Sequence, residues 1–263
     1  MYKGRNYKNY IFDLYGTLVD IHTDEEQELL WEKLALFYGY YDAVYEPEEL
    51  KSAFNSCVQT KEQSMMDADE GKNCEDRLKA DAHEAFPELQ IEDVFMELFE
   101  RKGVTVDKTL AIHAGQFFRI LSTEYVRLYD GVKEVLSQLK AAGKNVYLLS
   151  NAQRIFTEYE MHVLGIAKYF DDIFISSDIG VKKPDARFFK VLMDKHGISP
   201  DESIMIGNDM KCDIAGAKNV GMSTFYIHSN ISPELTQKPV ADFCLEQMDM
   251  KKVREILLGK KEE

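Results

Sequence analysis

Short apolar runs recur along the second half of the chain: NVYLLS (Asn145 to Ser150), DIFISS (Asp172 to Ser177), SIMIGN (Ser203 to Asn208), STFYIHS (Ser223 to Ser229) and ADFCLE (Ala241 to Glu246). Each is continuous rather than alternating, the pattern of a strand buried on both faces. Between them, GVKEVLSQLKAAG (Gly131 to Gly143) and PDARFFKVLMDKHG (Pro184 to Gly197) carry helical periodicity and close on glycine, a common helix stop. This succession predicts a β-α-β-α chain with a parallel sheet. One further run of the same style, KNYIFDL (Lys8 to Leu14), stands far ahead of the others.

The stretch between, roughly Ile21 to Tyr125, shows no strand run. Thr23 and Glu26, in T-D-E-E, predict a capping box that opens a helix. Leu30, Leu34 and Phe37 then share one helical face, as core residues would. Helical patterns continue through Glu46 to Gln63 and through Lys108 to Tyr129, with a looser segment from Asp67 to Asp76. The expected fold is α/β: a parallel-sheet core from residues 1–20 and 126–263, interrupted after its first strand by an all-helical insert over 21–125.

Composition narrows the function. At 263 residues, 45% hydrophobic and 30% charged, the chain is an ordinary globular one. No run approaches the roughly 18 apolar residues of a membrane span, and MYKGRNYKNY lacks the apolar centre of a signal peptide, so a cytoplasmic protein without membrane contact is expected. Cys57, Cys74, Cys212 and Cys244 are far apart and read as reduced thiols. A formal charge of -14 without a segregated basic patch argues against nucleic acid and for a small polar substrate. Oligomeric state leaves no mark in the sequence.

In a doubly wound sheet, ligands bind beyond the carboxyl ends of the strands. There the chain places Asp13 with Tyr15-Gly16-Thr17, then Ser150-Asn151, then Gly180 and Lys182-Lys183-Pro184, then Asn208-Asp209 and, one turn on, Asp213. A carboxylate nucleophile, hydroxyl and amide donors, a lysine and two more carboxylates are suited to holding a phosphoryl group and a magnesium ion. Taken singly, each is also what a turn, a cap or a helix-end acid looks like. Their order on successive strands sets the combination apart.

In this order the segments resemble the four motifs of the haloacid dehalogenase superfamily: IFDLYGTLVD the first, LLSNA the second, GVKKPDARFF the third and IGNDMKCDIAGAKNVGM the fourth. The resemblance implies a Rossmann-like core with the helical insert as a C1 cap that closes over the site and selects substrate. It implies Asp13 as the nucleophile that becomes an aspartyl-phosphate, with Thr17 hydrogen-bonding in the turn. Ser150 would bind a phosphoryl oxygen beside Asn151 as orienter, and Lys183 would be the family lysine. Mg²⁺ would be held by Asp209, Asp213, Asp13 and the backbone carbonyl of Tyr15.

Tyr15 occupies the place where family phosphatases usually carry a second aspartate, which protonates the leaving alkoxide and then activates water. A phenol with an unperturbed pKa near ~10 is a poor base at neutral pH, and acid-base catalysis of this kind is worth about 10²- to 10⁴-fold. Tyr15 thus leaves open slow hydrolysis, a restriction to good leaving groups, or help from a group of the insert, and a magnesium-dependent phosphatase of small phosphomonoesters is the leading expectation. The same D-x-Y-G-T-L is similar to the motif of the metal-independent 2-haloacid dehalogenases. Against that alternative, no arginine lies between Arg5 and Arg77, where those enzymes use one, and the acid pair Asp209 and Asp213 is present. A third possibility is a phosphometabolite-binding member of low turnover. Asn208 also stands where many relatives carry an acid, which displaces that acid to Asp209.

Overall fold

The computed structural model describes residues 7–69, 88–235 and 237–259. Eight strands are present among them: β1 (Asn9–Phe12), β2 (Val19–Thr23), β3 (Thr123–Leu128), β4 (Asn145–Ser150), β5 (Asp172–Ile175), β6 (Ser203–Gly207), β7 (Ser223–Ile227) and β8 (Phe243–Leu245). Six form one parallel sheet in the order β5-β4-β1-β6-β7-β8. Every run expected to be a strand lies in this sheet, β4 with the expected bounds and the others shorter. The order leaves β1 toward β4 on one side and β6 toward β7 on the other, so the direction of winding reverses between β1 and β6. Crevices of this kind open at such a reversal.

Successive side chains on the strands face opposite layers, as strand geometry requires. Tyr10, Phe12, Leu148, Ile204 and Ile206 join one core, and Ile11, Tyr147, Leu149 and Met205 join another.

Helices α1 (Glu28–Gly39), α2 (Pro47–Asp69), α3 (Ile91–Glu100) and α4 (Lys108–Ser122) lie between β2 and β3 and enclose a core of their own. Trp31, Phe54, Phe95 and Phe118 meet there, with ring centroids 5.3 to 5.8 Å apart. Leu30 and Leu34 are buried in this core and Phe37 packs against it. Helices α5 (Val132–Ala141) and α8 (Met250–Leu258) cover the first sheet face, and α7 (Ala186–His196) covers the second. Helix α6 (Arg154–Leu164) follows β4 and packs on α4. No helix among the described residues is long and apolar enough to cross a membrane.

Three expectations are corrected. The insert is not helical at its ends, because β2 and β3 pair there as an antiparallel ribbon. Asp20 on β2 is buried and accepts two bonds from the Arg127 guanidinium on β3, at 2.9 and 2.7 Å. The helix expected over Lys108 to Tyr129 consequently stops at Ser122. The capping box at Thr23 does not form, since Thr23 ends β2 and α1 begins at Glu28 behind Gln27 with no side-chain cap. Most of the looser segment from Asp67 to Asp76 lies outside the described residues.

Candidate active site

The crevice between β1 and β6 gathers most of the residues singled out in the sequence. Asp13 follows β1, and its N–H bonds the Ile206 carbonyl of β6 at 2.9 Å, which fixes the carboxylate at the sheet edge. Lys183 is 1% exposed and donates to Asp13 Oδ1 and to Asp213 Oδ1, both at 2.7 Å. Burial opposes the charge of this lysine, but the two carboxylates outweigh it and hold the ammonium pKa above its ordinary value. For Asp213 the balance runs the other way. Burial, with the charges of Asp13 and Asp209, outweighs Lys183 and raises its carboxyl above the usual range.

The backbone of the lysine is held as firmly as its side chain. The Asn151 amide accepts from Lys183 N–H at 2.8 Å and donates to Lys183 O at 2.9 Å. Thr17 Oγ1 lies 3.3 Å from Asp13 Oδ2 and 3.2 Å from Asn208 Oδ1. Gly16 has φ +82°, and a Cβ there would fall 2.2 Å from Asn208 Nδ2, so the turn needs glycine both for its conformation and for its closeness to β6. Gly207 serves the same closeness on the other side, since a Cβ would fall 2.2 Å from Asp213 Oδ2.

Ser150 ends β4, beside β1, and its hydroxyl is buried without a hydrogen-bond partner among the described residues. A buried polar atom left unpaired costs about 1–3 kcal/mol, which a ligand oxygen at this place would recover.

Two of the singled-out residues are placed differently from the rest. Asp209 Oδ1 accepts from the N–H groups of Lys211 and Cys212 at 2.7 and 2.9 Å, capping a π-helix over Met210–Ala215. The buried side chain that reaches Thr17 in the turn after β1 from this motif is Asn208. Tyr15 turns its phenol away from Asp13 and donates to Glu160 Oε2 of α6 at 2.5 Å, with Thr157 Oγ1 at 3.2 Å. Burial first, then the charge of Glu160, raises the phenol pKa above its ordinary value against the opposing pull of Arg119. Arg119, from α4, donates Nε to Glu160 Oε1 at 2.7 Å.

Sequence reading missed Arg119, Thr157 and Glu160. A signal existed for Arg119, the one charge in the apolar run FFRIL on an otherwise packed helix. None existed for Glu160, which lies 145 residues from Tyr15 in the chain.

The donor set here is of the hard-oxygen kind that suits a divalent cation such as magnesium. Asp13 and Asp213 set two carboxylates on one buried ammonium, with Asp209 close enough to act on Asp213. The fit is one of donor chemistry and charge. Among the described residues no three His, Cys, Asp or Glu side chains converge as a ready-made metal cluster.

A sheet-edge carboxylate is held by a buried lysine in a chain that carries a helical insert. The model of the haloacid dehalogenase-like hydrolases matches residues 7–221, and the chain belongs to that family. Among its relatives, the glyceraldehyde 3-phosphate phosphatase of Methanothermobacter thermautotrophicus is 30% identical over 48% of this chain and 56% of its own. The phosphoglycolate phosphatase of Vibrio vulnificus is 34% identical over 51% of this chain and 60% of its own. The chain thus spans less than two thirds of the length of these relatives. The fold is that of a 2-haloacid dehalogenase from Pseudomonas syringae, with TM-score 0.61 and 19% identity over 95% of this chain and 98% of that one. It is equally that of a phosphatase from Thermococcus onnurineus, with TM-score 0.57 and 17% identity over 96% and 99%.

Proposed function

We propose that the chain is a cytoplasmic phosphatase of small phosphomonoesters that works through an aspartyl-phosphate on Asp13. The observation that carries this reading is the pairing of a carboxylate fixed by Lys183 with an unsatisfied Ser150 hydroxyl on the neighbouring strand. In the first step an Asp13 oxygen bonds phosphorus as the ester P–O bond breaks. In the second, water bonds phosphorus as the Asp13 O–P bond breaks. Lys183 balances charge on Asp13 and on the phosphoryl oxygens, and Ser150 donates to one of those oxygens. Asn151 keeps the lysine backbone in place. The relatives named above act on glyceraldehyde 3-phosphate and phosphoglycolate, both small phosphomonoesters, which supports the same substrate class here.

Asp13, Asp213, the Tyr15 carbonyl and, once released from its cap, Asp209 are the groups that would hold Mg²⁺. When bound, the ion would supply electrostatic stabilisation of the phosphoryl oxygens. Residues 21–125 would act as the cap. Tyr15 is not the proton donor in this reading, because its phenol is committed to Glu160 and raised in pKa. The leaving group must then depart with little help, so rates should rise steeply as the pKa of the leaving alcohol falls.

The test is phosphate release from a panel of phosphomonoesters graded by leaving-group pKa, with magnesium and with chelator, and with Asp13→Asn as the blank. Release requiring both Asp13 and magnesium is the expected result. Absence of release from every ester would overturn the reading. Displacement of halide from 2-haloacids by the same carboxylate, favoured by Tyr15 in D-x-Y-G-T-L, would then be assayed on the same proteins.

A further inference from the structure

Of the three residues ahead of α3, Glu88–Leu89–Gln90, Leu89 is buried in the insert's own core, whereas Glu88 reaches across to the parallel-sheet core. Glu88 N–H donates to Gly180 O at 3.1 Å, and Ser176 Oγ donates to Glu88 Oε2 at 2.9 Å. Both partners belong to the segment that leads from β5 to Lys183. The remaining contacts pass through Gln153, which directly follows Ser150-Asn151-Ala152. Its Nε2 donates to Glu88 Oε1 and to Leu89 O, each at 3.0 Å, and its Oε1 accepts from Ile91 N–H at 3.0 Å. Gln153 stands at the N-cap of α6 yet makes no side-chain cap there. Both the donor and the acceptor end of its amide are spent on the insert, although a cap would have satisfied the helix it begins.

The two core loops joined by this strap are also joined to each other. Ala152 N–H donates to Ser176 Oγ and Arg154 N–H to Ser177 Oγ, both at 2.9 Å, and Ser176 and Ser177 are buried. Asn151 then bonds both backbone groups of Lys183. A continuous set of hydrogen bonds therefore runs from the insert through Gln153 and Ser176 to the loops that present Ser150 and Lys183. Displacing the strap takes the Glu88 acceptor from Ser176 Oγ and leaves it the longer bond to Ala152 O at 3.2 Å, which loosens the hub.

We propose that Gln153 and Glu88 are positioning residues. Docking of the strap on them fixes the Ser150 and Lys183 loops, so that the insert sets the geometry of the phosphoryl site as well as covering it. The kinetic arm of this proposal rests on the phosphatase reading, whereas its exchange arm does not.

Four full-length proteins are compared: wild type, Gln153→Ala, Gln153→Glu, and the swap Glu88→Gln with Gln153→Glu. A misplacement of about 1 Å can cost 10²-fold in rate. Gln153→Ala is expected to lower kcat by roughly 10- to 100-fold with KM changed less than about threefold. Gln153→Glu sets two carboxylates face to face and should do the same. The swap restores a donor opposite a carboxylate, so most of kcat should return. Hydrogen exchange read at the amides of Ala152 and Lys183 should quicken in both single variants and slow again in the swap. Exchange and kcat at wild-type levels in Gln153→Ala would overturn the proposal, as would a fall in Tm with kcat unchanged. If the wild type hydrolysed no ester, the phosphatase reading alone would fail, and unchanged exchange in the variants would still be needed to reject the positioning role.

Discussion

The turn from Asp13 to Thr17 has two sides with opposite characters. On one side the Tyr15 phenol, Glu160 and Arg119 form a closed set: donor meets acceptor, charge meets charge, and the parts come from the turn, α6 and α4. On the other, Asp13 and Asp213 share one lysine ammonium, and Ser150 Oγ has no hydrogen-bond partner among the described residues. A protein interior rarely leaves a hydroxyl unpaired or a charge in excess without a reason. The closed side is an anchor that joins the insert to the turn after β1. The open side is where the proposed reading seats an anionic ester together with a cation.

Substitutions should separate the two sides. The largest effect is expected from Asp13→Asn, which should lower phosphate release by roughly 10³-fold or more while the fold is retained; circular dichroism and a phosphate assay on the same sample check both halves. Lys183→Met leaves Asp13 and Asp213 buried without their shared cation. It should cost about 3–5 kcal/mol of stability in denaturant titration, as well as turnover. Ser150→Ala should cut kcat/KM by roughly 10- to 100-fold, the worth of one charge-assisted bond. Its stability should stay within about 1 kcal/mol of wild type or rise, because the hydroxyl removed had no partner. Tyr15→Phe should show the reverse pattern: stability down by about 1–3 kcal/mol through the lost Glu160 bond, with turnover within about threefold. A large fall in turnover from Tyr15→Phe at unchanged stability would place the phenol on the open side and undo the contrast.

How far each side could be read from sequence follows from what formed it. The buried strands announced themselves as apolar runs, and the open side sits at their ends, so its residues were found by position on those strands. Asp13, Thr17, Ser150, Asn151, Lys183 and Asp213 lie at this one sheet edge. The ribbon of β2 and β3 was missed because it is made by pairing rather than burial: VDIHT and TEYVRL mix charged and apolar positions, and Asp20 is buried only because Arg127 meets it from the other strand. The closed side was missed for a related reason. Glu160 and Arg119 are ordinary helix charges in the sequence, and only tertiary packing brings them to Tyr15. Asp209 has a second employment that the motif does not announce: it caps the π-helix, while Asn208 faces the turn after β1. Gly16 was noticed as part of a motif, but its physical requirement emerged only from the 2.2 Å approach to Asn208.

The most direct measurement is of the covalent intermediate. The wild type and Asp13→Asn would be mixed with the best ester of the panel, quenched in acid within one turnover, digested, and examined by mass spectrometry. The account predicts one phosphoryl group on the peptide carrying Asp13 in the wild type, and none anywhere in the variant. Hydrolysis by the wild type with that peptide unmodified, or with the phosphoryl group on another residue, would contradict it.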